Sequence, residues 1–301
     1  MGLRALAGTV VAFSAAAVFA TSAAGASGPW IPSAAAPIPW QWELAHPLNL
    51  ASPSDMGTNG VLYTGPLAPA PQVYDIDGIE NPASTVTALH AMSPPKHVIC
   101  YIEVGAAGNY GGVYSTYYSK LSKAGDLGPR MPGYPERYLK IGNASTATIV
   151  EQIIHDQCAA KGFDAVEPDI DDSWYDTTGF GTTMAQSEAY LHTLSTYAHS
   201  LGLGWGLKDG DQANNTADST KFVGDLIAAH TIDFALTEQS FQYGADPALF
   251  PQLGLSGIAW FEAEYRGQNT PASYCTKANA DNANAVLFAN NLDGTVRVTC
   301  R

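Results

Sequence analysis

Stretch after apolar stretch of this chain ends in a carboxylate: Asp75 and Asp77, Glu103, Glu167 and Asp169, Glu238, then Glu262 and Glu264. Three of these pairs are spaced i, i+2, which puts both members on one face of a strand. A single acid after a strand often caps the next helix. Eight such acids are hard to explain that way. Packed carboxylates repel, so keeping them together points to a cation, a proton-transfer role or a cationic ligand. Two carboxylates flanking a glycosidic bond fit this pattern best. Tyr101, Trp174, Trp260 and Tyr265 lie near the same strand ends and suit stacking on sugars, although each would also suit a core. Lys208 ends a neighbouring stretch and is placed to hold a carboxylate ionised.

Other chemistries fit poorly. The chain has no HExxH and no Gly-x-Ser-x-Gly, and its seven histidines are scattered. Gly202-Leu-Gly204-Trp-Gly206 precedes a strand and opens no helix, so it is not a dinucleotide fingerprint. Asp169-Ile-Asp171-Asp172 lacks the glycine and the twelfth-position glutamate of a calcium loop. We therefore expect neither a metal nor a cofactor.

The strands expected to carry these residues are Val73–Asp77, His97–Glu103, Tyr138–Ile141, Phe163–Asp169, Leu203–Lys208, Ile232–Glu238, Ile258–Glu264 and Ala285–Ala289. Helical patterns lie between several of them. Thr183-Met-Ala-Gln186 is a capping box opening a helix to about Ser200, and residues from Ser219 to about Ala229 read similarly. Eight strands alternating with crossovers predict a single (β/α)₈ barrel over residues 40–301, with an open doubly wound sheet as the rival. In a barrel the acids would converge on the mouth at the C-terminal strand ends. The Gly/Tyr-rich stretch from Ala106 to Glu136 reads as a functional loop with little regular helix.

The 301 residues carry 28 Asp plus Glu against 14 Lys plus Arg, a formal charge of −14. Such a surface repels phosphate backbones and attracts a polycation, which argues against nucleic acid as a partner. Arg4, the apolar run Val10–Ala20 and Ala24-Gly25-Ala26 predict a cleaved signal peptide over residues 1–26, so a secreted protein with no membrane span in its mature form. Residues 27–39 read as a short Pro/Ala-rich linker. Export makes the four cysteines disulfide partners. Cys275 and Cys300 would tie down the C-terminus. Cys158, on the apolar face of a helix, can reach Cys100 if Tyr101 and Glu103 point to the other side of their strand. No heptad or apolar stripe predicts an oligomer, and a monomer is expected. Asn143-Ala-Ser145 and Asn214-Asn-Thr216 are glycosylation sequons where the host has that machinery.

Val73-Tyr-Asp-Ile-Asp77, Val98-Ile-Cys-Tyr101, Gly162-Phe-Asp-Ala-Val-Glu-Pro-Asp169, Gly206-Leu-Lys208 and Phe234-Ala-Leu-Thr-Glu-Gln239, together with Trp40-Gln-Trp42, resemble motifs of glycoside hydrolase family 114. They run in order from about Trp40 to about Tyr265. The resemblance implies a TIM barrel and endo-α-1,4-polygalactosaminidase activity on partly deacetylated galactosaminogalactan, a cationic amino-sugar polysaccharide. It also implies Asp169 as nucleophile and Glu238 as general acid/base. Asp75, Asp77, Tyr101, Glu103, Glu167, Lys208, Trp260, Glu262 and Glu264 are the expected substrate-binding residues. The chain departs from the pattern at Ile170-Asp171-Asp172-Ser-Trp174, where Asn-x-Asp-x-Tyr is commoner, and at Thr237, where Asn is commoner. Both acids are intact. The alternatives are another α-galactosidic or α-glucosidic specificity, or a non-catalytic sugar-binding barrel.

Overall fold

A computed structural model describes residues 28–210, 216–244 and 257–301. The expected signal peptide, residues 1–26, lies outside them, as does the Asn214 sequon. Eight strands run parallel in chain order: β1 (Trp40–Glu43), β2 (Val73–Asp77), β3 (His97–Glu103), β4 (Ala165–Asp169), β5 (Gly204–Lys208), β6 (Phe234–Glu238), β7 (Ala259–Tyr265) and β8 (Asn284–Phe288). Two further strands extend the sheet past β8. Arg297–Thr299 pairs antiparallel with β8, and Val61–Leu62 pairs with it in turn. The helices are α1 (Ala83–His90), α2 (Gly112–Ala124), α3 (Ala144–Ile153), α4 (Met184–Ser200), α5 (Thr216–Ala228) and α6 (Pro271–Ala280). Among the described residues, no helix is long and apolar enough to cross a membrane.

The strands are buried on both faces, as parallel sheets require. On one face Ile76, Cys100, Ile102, Val166, Trp205 and Trp260 pack against the helices. On the other, Trp40, Trp42, Val73, Ile99, Ala165, Phe234, Phe261 and Phe288 pack against one another. Because side chains alternate along a strand, a second cluster built from so many strands means the sheet is curled around it. In β5 the first two inner positions, Gly204 and Gly206, are glycines. A Cβ at Gly206 would stand 2.7 Å from the Phe234 ring, which fills the space that a side chain would take. No backbone ladder joins β8 to β1 among the described residues. Instead the Trp40 indole donates to the Asn284 carbonyl at 2.7 Å, and the buried Arg297 guanidinium donates to the Trp40 carbonyl at 2.9 Å. Those side chains satisfy edge carbonyls that a neighbouring strand would otherwise bond.

Two expectations differ from the structure. Arg137–Leu139, which overlaps the expected strand Tyr138–Ile141, is not in the parallel sheet; it forms a small antiparallel sheet with Ala106–Ala107 and Leu127–Arg130. The eighth parallel strand is Trp40–Glu43 instead. The stretch read as a loop also holds α2, whose residues Tyr114, Tyr117, Tyr118 and Leu121 recur at helical spacing on its inward face. The capping box at Thr183 and Gln186 is present, and opens α4 as expected.

Both disulfides join the expected partners, Cys100 to Cys158 and Cys275 to Cys300. The first ties the helix-covered face of β3 to the π-helical turn that continues α3. Residues 28–39 lie against the fold rather than hanging from it. Trp30 stacks on His97 with ring centroids 4.3 Å apart, and the Ile38 N–H donates to the Asn284 side chain at 2.8 Å.

Candidate active site

Strands β4, β5 and β6 each end in a polar residue on the inner face: Asp169, Lys208 and Glu238. The residue after each one, Ile170, Asp209 and Gln239, adopts a left-handed backbone, with φ of 59°, 55° and 57°. For a β-branched residue such as Ile170 this is a true outlier, costing about 1–3 kcal/mol. The neighbouring strands hold the turns in place. Val104 N–H donates to the Asp169 carbonyl at 2.9 Å, Asp209 N–H to the Leu236 carbonyl at 2.9 Å, and Gln239 N–H to the Ala263 carbonyl at 2.8 Å. Gly105 must be glycine here, because a Cβ would lie 1.9 Å from the Ile170 carbonyl oxygen. The chain thus turns away sharply at each strand end and leaves the preceding side chain standing at the mouth.

Those side chains meet. Lys208 Nζ donates to Glu238 Oε2 at 2.7 Å, contacts Asp209 Oδ2 closely, and stands 3.9 Å from Asp169 Oδ1. The Tyr101 hydroxyl donates to Asp169 Oδ2 at 2.7 Å, and the Ile170 N–H donates to Asp169 Oδ1 at 3.0 Å. The Tyr265 hydroxyl donates to Glu238 Oε1. Around them is a cavity of about 350 Å³, lined also by Trp42, Glu103, Tyr134, Glu136 and Asn290.

Electrostatics set the proton states. Burial works to raise the Glu238 carboxyl, but the charge and hydrogen bond of Lys208, with the Tyr265 hydroxyl, outweigh it and hold the group below its ordinary range. Burial opposes the charge on Lys208, yet Asp209, Glu238 and Asp169 raise its ammonium well above the ordinary lysine value. Glu103 is raised to about 8 by burial and by the charges of Asp169 and Glu136. Deeper in the sheet, Asp75 and Glu167 are fully buried, and no donor reaches any of their four oxygens. Burial raises both, Asp75 to about 7, and the charge of Asp75 raises Glu167 further.

Of the residues expected to bind substrate, Tyr101, Glu103 and Lys208 line the cavity beside Asp169 and Glu238. Asp75 and Glu167 do not line it. Each lies on the inner face two residues before a mouth residue, Asp77 or Asp169, one layer farther in. Asp77 lines a neighbouring cavity, where its Oδ1 accepts from the N–H groups of Ile79 and Glu80. Trp260, Glu262 and Glu264 are placed elsewhere. In β7 the inner positions are Ala259, Phe261, Ala263 and Tyr265, so these three residues fall on the opposite face. Glu262 accepts from Thr237 Oγ1 and the Ser240 N–H, and Glu264 from the N–H groups of Phe241 and Gln242. They fasten the loop after β6. A shift of one position in phase explains the difference, since an i, i+2 pair reads alike whichever face it takes.

Asp209, Glu136 and Tyr134 escape a reading based on strand ends alone, because Asp209 stands one position past its strand and the other two come from the segment before Arg137. Among the described residues, Glu43, His46 and Asp55 have ligand-type atoms within 4.8 Å of one another. Glu43 Oε1 accepts from the N–H groups of Ala45 and His46, and Asp55 accepts from Asn49 N–H, so both carboxylates cap a loop.

A carboxylate held ionised, a second within reach of the same ammonium, and hydroxyls on both are the equipment of acid–base and nucleophilic chemistry. The fold matches the crystal structure of Aspergillus fumigatus Ega3 in complex with galactosamine, with a TM-score of 0.71 and 25% identity over 91% of this chain and 98% of that one. It also matches the glycoside hydrolase domain of PelA from Pseudomonas aeruginosa, with a TM-score of 0.58 and 12% identity over 86% and 97%, a likeness of fold alone. No curated protein matches the chain. The model of glycoside-hydrolase family GH114 matches residues 20–301, nearly the whole chain, which therefore belongs to that family and is a glycoside hydrolase.

Proposed function

We propose that this protein is a secreted endo-hydrolase of α-1,4-linked galactosamine polymers such as partly deacetylated galactosaminogalactan. In this reading the curled sheet is a closed (β/α)₈ barrel, residues 1–26 are a signal peptide, and the enzyme works as a monomer. Both disulfides suit an oxidising compartment. The observation that carries the reading is the placement of Asp169 and Glu238 on either side of one buried ammonium, in a pocket otherwise rich in acids. A free amine on the sugar is protonated near neutral pH and is drawn to such a pocket.

Asp169 attacks the anomeric carbon while Glu238 gives its proton to the departing glycosidic oxygen. Water, deprotonated by Glu238, then releases the sugar from Asp169. The nearest oxygens of the two carboxylates are no farther apart than the sum of their distances to Lys208 Nζ, 3.9 and 2.7 Å. That favours the roughly 5–5.5 Å spacing of retaining enzymes over the roughly 6.5–9.5 Å of inverting ones. The acid role requires Glu238 to hold a proton, which Lys208 opposes in the pocket before a sugar binds. The Glu238 side chain is 30% exposed there. A bound sugar strips that water away, and the added burial favours protonation.

The Lys208–Glu238 contact also favours a second assignment, with Glu238 as nucleophile and Asp169 as acid. Azide separates the two. Rescue of Asp169→Asn with an azide product of inverted anomeric configuration supports the first assignment; such a product from Glu238→Gln supports the second. Release of internal fragments from galactosaminogalactan by the wild type, lost in Asp169→Asn, tests the activity itself.

A further inference from the structure

Beside the pocket of Asp169 and Glu238 lies a second cavity, of about 320 Å³. Both fall within the roughly 300–1,000 Å³ of small-ligand sites. Leu44, Tyr101, Glu103 and Glu136 line both cavities, so the two adjoin along one wall. The second has a distinct make-up. Tyr114 and Tyr118 of α2 present half-buried rings, and the half-exposed Tyr110 stands at its rim with its ring edge-on to Tyr114 at 5.3 Å. Ile102, Leu121 and Leu139 supply an apolar deep end, while Glu80 and Asp77 add acids toward the opening. Glu136 stands at the seam. One of its oxygens accepts from the Tyr110 hydroxyl, and the other is buried with no hydrogen-bond partner.

A buried carboxylate oxygen without a donor is costly unless a ligand satisfies it. Aromatic faces beside an unsatisfied acid are the surroundings that an amino sugar requires, with C–H groups for the rings and an ammonium for the carboxylate. A neutral sugar would offer Glu136 only a hydroxyl or amide donor, without the charge of an ammonium, and an anionic one would be repelled by four acids.

We propose that this second cavity is a subsite for a further hexosamine unit of the chain, whose free amine is received at Glu136 and whose ring lies against Tyr114 and Tyr118. It rests on the reading of the chain as a hydrolase of amino-sugar polymers. The subsite extends the contact toward the β2–β3 side of the mouth and makes recognition depend on a deacetylated unit away from the bond that breaks.

Calorimetry with Asp169→Asn, which removes turnover, tests this directly. The probes are α-1,4-linked galactosamine disaccharide and tetrasaccharide, and the fully N-acetylated tetrasaccharide. The deacetylated tetrasaccharide should bind at least about tenfold more tightly than the disaccharide, the scale of one charge-assisted hydrogen bond. Adding Glu136→Gln or Tyr118→Ala should remove most of that gain, and the acetylated tetrasaccharide should show little of it. Circular dichroism on each variant separates loss of binding from loss of fold. Equal affinity for disaccharide and tetrasaccharide, or a gain kept by both folded variants, overturns the subsite. A wild type that cleaves no galactosamine polymer while the length-dependent gain persists supports the subsite and refutes the hydrolytic reading instead.

Discussion

Replacing Lys208 by Met removes the ammonium around which the pocket is organised. Its side chain is 4% exposed and serves Glu238 at 2.7 Å, Asp209 in close contact and Asp169 at 3.9 Å. Taking one partner from a buried ion pair costs about 3–5 kcal/mol, because the remaining charge is left uncompensated. The three carboxylates retain 20–32% exposure, and that access to water puts the expected loss near the lower end, about 3 kcal/mol, at pH 8. At pH 5 the loss should shrink. Asp209 is raised to about 6 by burial even with Lys208 present, and it protonates readily once the lysine is gone. Urea unfolding of wild type and Lys208→Met at both pH values measures the difference. The same variant should move the basic limb of the kcat/KM profile to higher pH, since Glu238 is no longer held ionised. An equal stability loss at pH 5 and pH 8, with an unmoved basic limb, would refute the reasoning.

Thermal stability should fall as pH rises from 5 to 8.5. Asp75, Glu103 and Asp172 are raised to about 7, 8 and 7 by burial, so the folded chain keeps protons that the unfolded chain releases. Their contribution is complete below the ordinary carboxylate range and is lost as pH passes through those values; a melting temperature that is flat or rising across this window, by calorimetry, would contradict it. Gly206→Ala drives a methyl to within 2.7 Å of the Phe234 ring and should cost about 1–3 kcal/mol in chemical denaturation. A neutral result there would place the Phe234 ring elsewhere.

Much of the mouth was legible because the inner-face acids end long apolar strands whose period needs no partner to be read. Seven of the eight parallel strands stand within a residue or two of their expected bounds. The sequence of β1 carries the Trp40-Gln-Trp42 motif but no strand signal, because four residues hold too little alternation. Tyr138 and its neighbours do form a strand, yet local pattern cannot say which sheet a strand joins. The facing of Glu262 and Glu264 was not recoverable either. β7 is buried on both sides, so its alternation separates an acidic from an apolar face without saying which of them looks inward. The tyrosine spacing in α2 was a usable signal, hidden under a glycine-rich composition that reads as loop.

The most direct test of the catalytic pair is a time-resolved NMR record of the products released from α-1,4-galactosamine polymer by the wild type and by Asp169→Asn. The account predicts internal fragments whose new reducing ends appear first as the α-anomer, and no fragments from the variant. Cleavage by Asp169→Asn at the wild-type rate would contradict it, and a β-anomer appearing first would show that the two carboxylates act by inversion.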